Sequence, residues 1–300
     1  MNSMHSRHSS SPPSSLLLAA ALSLAAGCRQ IAELPPDAPP APPASAQAGE
    51  TARPPVWLAS ESAVFERVQK VLEGAGCPEV RTAVLKVSDE VPLPFYDVPA
   101  RTLLVPPFRD GPEKMRERVA RMSAKRFAGA LTFIDAFDSA ASAYEAYAVF
   151  LTVAIAHEMW HHVQFVRRAA APPGRSEVYD VEAEAVEVEQ AFLAHLVETG
   201  QAPKTWRSHY RRAVLAIRDS VPRQALDAVP DDPEARSQQF ARAYAIYGMG
   251  EAVAAGSVNV QLGAAFTVYA TYMQRRVTLL TEGARPLATL AAKPAVSPSR

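Results

Sequence analysis

The sequence predicts a mainly helical domain (α+β) with a small, short-stranded sheet. Residues 143–155 contain neither glycine nor proline, and residues 178–196 repeat apolar side chains at helical spacing. Only two short stretches, Val80–Val87 and Thr102–Val105, have the character of strands. Apolar residues make up 48% of the 300-residue chain, which is enough for a sizeable core.

The N-terminal 27 residues predict an export signal. A polar segment carrying Arg7 precedes the apolar run Leu16–Ala26, which is too short to cross a bilayer as a mature helix. The run ends in Leu-Ala-Ala-Gly-Cys, with Cys28 last, and this ending resembles the lipobox of bacterial lipoproteins. The resemblance implies that Cys28 is lipidated and anchors the mature chain to a membrane. Arg29, and not Asp, follows; by resemblance to lipoprotein sorting in Gram-negative bacteria, this would favour the outer membrane of the cell envelope. An ordinary signal peptide is the alternative.

Residues 28–55 are predicted to be a Pro/Ala-rich tether. Eight prolines fall between residues 31 and 55, and such a composition favours extended polyproline II and cannot bury a core. We expect the folded domain to cover residues 56–283. Residues 284–300 contain Pro, Ala and Ser and are predicted to be a disordered tail.

The N-terminal part of this domain combines one helix with the two strands. Ser60 is placed to cap a helix that runs to about Glu73. The strands Val80–Val87 and Thr102–Val105 follow, and the proline-rich run between them predicts an irregular sheet edge. Pro112 then begins a basic helix, whose charges are interpreted as a solvated face.

The long helix predicted over residues 141–168 carries the sequence His-Glu-Met-Trp-His. Because residues four apart share a helix face, His157 and His161 can direct two imidazoles at one ion. Glu158 lies about 100° round the helix, within reach of a water on that ion. Three of the seven histidines fall within six residues, and His162, which points away, is expected to pack on the flank. This H-E-x-x-H spacing predicts a zinc site with Glu158 as the general base.

A third protein ligand is expected on the acidic helix that follows. Gln164 and Arg167 occupy the offsets at which a metzincin has Gly and His, so that class is excluded. Glu182 and Glu184 flank opposite sides of the helix's apolar stripe. Glu187 lies nearly opposite the stripe and is expected to face solvent.

Glu182 precedes Ala185 in an E-x-x-A motif, and this pairing with H-E-x-x-H resembles the gluzincin zinc peptidases. The resemblance implies a zincin-like domain in which His157, His161 and Glu182 bind Zn²⁺, with Glu184 as the alternative third ligand. It also implies that the sheet beside the helix holds an extended substrate. Some gluzincins have an Asp after the Ala to orient a ligand histidine. This chain has Val186 there, so Glu184 or Glu189 is the candidate for that role.

Three further helices are predicted over about residues 203–220, 233–248 and 263–281. They carry candidates for stabilising an oxyanion, although each could equally be a core residue. These candidates are His209, Tyr210, Tyr244 and Tyr247.

The functional prediction is a zinc metalloendopeptidase held at the cell envelope as a lipoprotein and acting on peptide or protein substrates. Lys plus Arg equals Asp plus Glu, 31 against 31, so no overall charge favours nucleic acid. The alternative is a non-catalytic envelope lipoprotein with a structural or degenerate zinc site that serves as a binding or scaffold module.

Overall fold

The chain is mainly helical with a small three-stranded sheet, as the sequence predicts. The computed structural model describes residues 60–91, 93–112, 114, 136–168, 178–248 and 258–292. The predicted signal peptide, Cys28 and the tether lie outside these residues, and so does most of the predicted basic helix. No helix in the described part of the chain is both long enough and apolar enough to cross a membrane.

The described helices are numbered in chain order. They are α1 (Glu61–Gly74), α2 (Ala140–Arg167), α3 (Val178–Glu198), α4 (Thr205–Ser220), α5 (Arg223–Asp227), α6 (Pro233–Gly248), α7 (Val258–Glu282) and α8 (Leu287–Ala291). Helices α2, α3 and α4 pack against one another, α7 packs against α3 and α4, and α6 packs against α7. The predicted helices of the C-terminal third are therefore confirmed, and α7 begins five residues earlier than expected.

Helix α2 is the central element of the fold. The side chain of Ser139 caps its N-terminus by accepting a hydrogen bond from the backbone N–H of Ser142, at 3.2 Å. Every residue from Ala146 to Gln164 is buried. A helix that is surrounded on all sides belongs in the interior, and the polar H-E-x-x-H sequence is carried into the core by this apolar helix.

The sheet consists of β1 (Val84–Val87), β2 (Phe95–Asp97) and β3 (Thr102–Val105), with β3 in the middle. β1 runs parallel to β3, and β2 runs antiparallel to it with Tyr96 opposite Leu103. Both β2 and β3 contact α2. The sheet therefore lies beside the helix that carries the H-E-x-x-H sequence.

The strand predictions need two corrections. Val80–Val87 is not one strand, because Pro78 begins a 3-10 helix that runs to Thr82 and leaves only Val84–Val87 extended. The second correction is β2, a strand that the sequence did not predict. Its three residues lie between prolines that cannot donate to a sheet, so only this short central segment forms pairs.

The predicted disorder of residues 284–300 is wrong for residues 284–292. Gly283 adopts a positive φ of 83°, which glycine accommodates without strain, and the chain turns there after α7. Helix α8 follows, and its Leu287 and Leu290 are 4% and 0% exposed. Residues 293–300 lie outside the described residues, and the domain boundaries stay predictions.

Glu187 does not face solvent, contrary to expectation. Its carboxylate accepts two hydrogen bonds of 2.7 Å from the guanidinium of Arg285, which belongs to the docked C-terminal segment. Arg275 of α7 lies 3.3 Å away on the other side. The face opposite the apolar stripe of α3 is therefore covered by residues far along the chain.

Candidate metal centre

Helices α2 and α3 bring His157, His161 and Glu182 together in the core. The Nε2 atoms of the two histidines lie 3.0 Å apart. Oε2 of Glu182 lies 3.5 Å from Nε2 of His157 and 3.4 Å from Nε2 of His161. All three side chains are less than 5% exposed. Three donor atoms from two helices thus form a compact, buried triangle that could hold a metal ion.

The size of this triangle fits a tetrahedral cation. Zinc bonds to imidazole nitrogen and carboxylate oxygen at about 2.0–2.2 Å, which puts neighbouring ligand atoms of a tetrahedron about 3.3–3.5 Å apart. The observed separations of 3.0, 3.4 and 3.5 Å require adjustments of a few tenths of an ångström at most. The donor set and its spacing are therefore compatible with Zn²⁺.

The remaining nitrogen of His157 faces a carboxylate. Its Nδ1 lies 2.7 Å from Oε1 of Glu189, which is 2% exposed. Arg276 holds the same carboxylate through hydrogen bonds of 2.6 and 3.0 Å, and the hydroxyl of Tyr210 donates to it at 2.9 Å. Outer contacts of this kind orient a ligand histidine and raise its basicity. Of the two carboxylates considered from the sequence, Glu189 is the one that contacts a ligand histidine directly.

The remaining nitrogen of His161 faces the side-chain amide of Gln164. Nδ1 of His161 lies 2.9 Å from Oε1 of Gln164. The amide nitrogen of Gln164 donates to the carbonyl of Val181 at 3.0 Å and to Glu184 at 2.8 Å, which fixes the orientation of the amide. Since Oε1 can only accept, Nδ1 of His161 carries the proton and Nε2 presents its lone pair to the triangle.

Glu184 is therefore not a member of the triangle. Its carboxylate accepts hydrogen bonds from Gln164 at 2.8 Å and from the indole N–H of Trp160 at 3.2 Å. Glu184 thus helps to orient His161 indirectly, because it binds the amide nitrogen of Gln164, whose oxygen contacts Nδ1 of His161. The geometry favours Glu182 over Glu184 as the third ligand.

Glu158 lies beside the triangle and is completely buried. Its Oε2 accepts a hydrogen bond of 2.9 Å from the backbone N–H of Tyr96 in β2. Its Oε1 makes no hydrogen bond within the described part of the chain. Burial raises the pKa of Glu158 to about 7, against the opposing influence of the two histidines. One carboxylate oxygen is thus anchored to the sheet, and the other can take up a proton.

The buried charges around the triangle are compatible with a divalent cation. Glu158, Glu182 and Glu189 contribute three negative charges, and Arg276 contributes one positive charge. With Glu158 ionised and both histidines neutral, as ligation requires, two negative charges would be left over. Glu187, which is also buried, is offset separately by Arg285 and Arg275. Uncompensated buried charges cost several kcal/mol each, so one doubly charged ion at the triangle would restore neutrality.

Metal affinity is expected to increase with pH. Burial lowers the pKa of His157, but contacts with Glu182 and Glu189 outweigh it and raise the pKa to about 10. His157 is therefore a doubly protonated imidazolium at neutral pH, and a metal ion must displace one of its two ring protons. We expect the apparent affinity for Zn²⁺ to rise about tenfold per pH unit from about pH 7 to about pH 8.5. Titration calorimetry in two buffers of different ionisation enthalpy measures the released proton; a pH-independent affinity would contradict this assignment.

The other residues singled out from the sequence lie outside the triangle. His162 is buried, as expected, and contacts the hydroxyl of Tyr96 and the carbonyl of Glu79 at 2.9 and 3.1 Å. Tyr210 is bonded to Glu189, so it supports the metal centre from behind His157. Of the remaining oxyanion candidates, His209 is 3.3 Å from Glu145. Tyr244 stacks on Phe240 and is also an electrostatic neighbour of Tyr272, which adjoins Glu182. The side chain of Tyr247 lies outside the described residues.

Three contributors were not anticipated. Tyr96 supplies its backbone N–H to Glu158, and Arg276 holds Glu189. Tyr272 is the third, since burial and the neighbouring Glu182 carboxylate raise the pKa of its hydroxyl well above the usual value. No local motif marks any of them. The sequence does show Arg276 next to the apolar residues of the helix predicted over 263–281. An arginine at such a position is common on helices, so it does not indicate a role at a metal centre.

Comparison with known proteins gives no further assignment. The chain matches no family model, and neither a curated protein nor a solved structure is detectably similar to it.

Proposed function

We propose that this protein is a zinc-dependent metalloendopeptidase of the gluzincin type. The observation that carries the proposal is the buried triangle of His157, His161 and Glu182 with Glu158 beside it. Structural zinc sites favour cysteine ligands and a closed shell of four protein ligands. Here three ligands come from histidine and glutamate, and the one cysteine in the described residues, Cys77, belongs to the core cluster instead. Such a donor set leaves a coordination position for water or substrate.

A zinc ion bound here would lower the pKa of a bound water towards about 7 and polarise the scissile carbonyl. The chain's own contribution is the base. Oε1 of Glu158 has no other hydrogen-bond partner among the described residues, so it can accept the proton of the attacking water. Glu158 can then return that proton to the leaving amine. The hydrogen bond from Tyr96 holds the carboxylate in place during both transfers.

An extended peptide is the proposed substrate, and strand β2 contributes to the site by holding the general base. In an antiparallel pair, alternate residues direct their backbone N–H and C=O groups away from the partner strand. The N–H of Tyr96 donates to Glu158, so these groups of Tyr96 face away from β3. Because Glu158 already takes the N–H of Tyr96 and both residues are completely buried, this edge positions the general base and does not itself add the peptide as a further strand. A zincin-like arrangement of sheet and helix is part of this proposal.

The proposal includes anchoring of the chain at the cell envelope. It rests on the sequence around Cys28, which resembles a lipobox, and on the proline-rich residues that follow. A lipid at Cys28 and a tether to residue 55 would hold the domain near the membrane surface without inserting it. The substrates expected are therefore proteins or peptides of the envelope.

The alternative is a structural or degenerate zinc site in a binding lipoprotein. A metal centre that only stabilises the fold has no use for a buried carboxylate with a free oxygen next to the ligands. Keeping Glu158 ionisable in the core costs stability, because burial disfavours its charged form. The presence of Glu158 therefore favours hydrolysis.

Metal content and peptide hydrolysis, measured on the same purified protein, test the proposal. The protein is purified, its metal content is measured by mass spectrometry, and hydrolysis of casein and of a quenched fluorescent peptide library is followed. We expect one zinc per chain and hydrolysis that a chelator abolishes and added zinc restores. Recovery in the membrane fraction, lost on Cys28→Ala, checks the anchor. Metal without hydrolysis would favour the structural alternative, and no metal under replete conditions would refute the centre itself.

A further inference from the structure

Arg276 is the only arginine or lysine in the described part of the chain whose side chain is buried. It lies on α7 and is 4% exposed. Its guanidinium carbon lies 5.5 Å from the centre of the Tyr272 ring, and its backbone carbonyl accepts a hydrogen bond of 2.8 Å from Gln190 on α3. Both its position and its helix register are therefore fixed against the helix that supplies Glu182.

Two nitrogens of the Arg276 guanidinium donate hydrogen bonds to the two oxygens of the Glu189 carboxylate. Nε donates to Oε2 of Glu189 at 3.0 Å, and Nη2 donates to Oε1 at 2.6 Å. Tyr210 of α4 adds a third donor at 2.9 Å on Oε2. A bidentate arginine fixes the plane of a carboxylate as well as its distance. The rotation of Glu189 is thus determined by residues of two other helices.

This rotation places Oε1 of Glu189 against His157, in a close contact that lies outside hydrogen-bond angles. Oε1 of Glu189 is the atom that lies 2.7 Å from Nδ1 of His157, and His157 presents its opposite nitrogen to the triangle. We propose that Arg276 is a positioning residue of the metal centre, which acts through Glu189 and His157 and does not itself touch the ion or the substrate. The inference rests on the proposed metal centre.

Removal of the Arg276 guanidinium would have two physical consequences. Glu189 would keep its negative charge in the core with no cation to offset it, a costly arrangement. It would also be free to rotate, so that the ring of His157 would lose its fixed orientation. Metal affinity and the geometry of the bound ion should therefore both change, whereas a side chain that only stabilises the fold would alter neither at a temperature where the protein is folded.

The test uses Arg276→Met, with Arg275→Met as the matched control. Arg275 is the preceding residue of α7 and also pairs with a glutamate, but with Glu187, away from His157. The readouts are the dissociation constant for Zn²⁺, measured against a competing chelator, and the visible absorption spectrum of the Co²⁺-loaded protein. We expect Arg276→Met to weaken Zn²⁺ binding about 10- to 100-fold and to shift the Co²⁺ bands. Arg275→Met is expected to leave both unchanged.

A double-mutant cycle shows whether Arg276 acts through Glu189. Once Glu189→Gln is in place, adding Arg276→Met is expected to weaken zinc binding no further, because the intermediary is already lost. The double variant also lacks the unpaired buried carboxylate, so it can be studied even where Arg276→Met does not fold. Equal effects of Arg276→Met in both backgrounds, or identical behaviour of Arg276→Met and Arg275→Met, would overturn the inference. If the wild-type protein binds neither Zn²⁺ nor Co²⁺, the proposed function fails first.

Discussion

Replacing Glu158 with glutamine is expected to lower kcat/KM for peptide hydrolysis by about 10²–10⁴-fold, the usual contribution of a general base. Glutamine has nearly the same shape and its amide oxygen can still accept the hydrogen bond from the N–H of Tyr96. It cannot accept and return a proton, so only the chemical step should suffer. The measurement is kcat/KM for a peptide selected from the fluorescent library, with zinc content determined on the same samples.

A loss of activity in Glu158→Gln can be assigned to the missing base only if this variant still binds zinc. Glu158 is not one of the three triangle residues, so Glu158→Gln should bind one zinc per chain like the wild type. A suitable control is Glu79→Gln, which alters a half-buried carboxylate that pairs with Arg167 of the same helix α2. That variant is expected to keep both zinc and activity. Full activity in Glu158→Gln would show that another group is the base, and loss of zinc would mean that Glu158 belongs to the ligand set.

The sequence could predict the histidine pair because it depends on local geometry alone. Residues 143–155 lack helix breakers, and the spacing of four residues in a helix puts His157 above His161 whatever the rest of the chain does. Gln164, three residues further along the same face, could be anticipated for the same reason. The choice of Glu182 came from a resemblance to gluzincins, and the structure places that residue in the triangle.

The contributors that could not be predicted depend on packing between distant segments. Arg276 and Glu189 are 87 residues apart, and only the docking of α7 on α3 joins them. Tyr96 acts through its backbone N–H, which every residue except proline possesses, so its side chain gives no signal. Glu187 is buried because Arg275 of α7 and Arg285, just before the five-residue helix α8, cover its carboxylate, and so short a helix shows no periodic pattern in the sequence. In each case the decisive information is long-range.

Replacing Glu182 and Glu184 with glutamine, one at a time, should show from the loss of Zn²⁺ affinity which of the two is the third ligand. Glu182→Gln removes the carboxylate whose Oε2 lies 3.4–3.5 Å from both histidine nitrogens. Since an amide is a much weaker zinc ligand, we expect its affinity for Zn²⁺ to fall by more than the roughly 100-fold that loss of an outer contact costs. Chelator competition measures the affinity, and the Co²⁺ spectrum should show one fewer carboxylate ligand.

Glu184→Gln is the matched control, two residues away on the same helix. Glu184 acts on the ion only through Gln164 and His161, and a glutamine there can still accept a hydrogen bond through its amide oxygen. We expect a loss of at most about tenfold, the lower end of the range for outer contacts. The reverse order, with Glu184→Gln losing zinc and Glu182→Gln keeping it, would make Glu184 the ligand. It would also require Glu184 to give up its hydrogen bonds with Gln164 and Trp160 when the ion binds. Those two hydrogen bonds hold the carboxylate of Glu184 away from the triangle, and they therefore argue for Glu182.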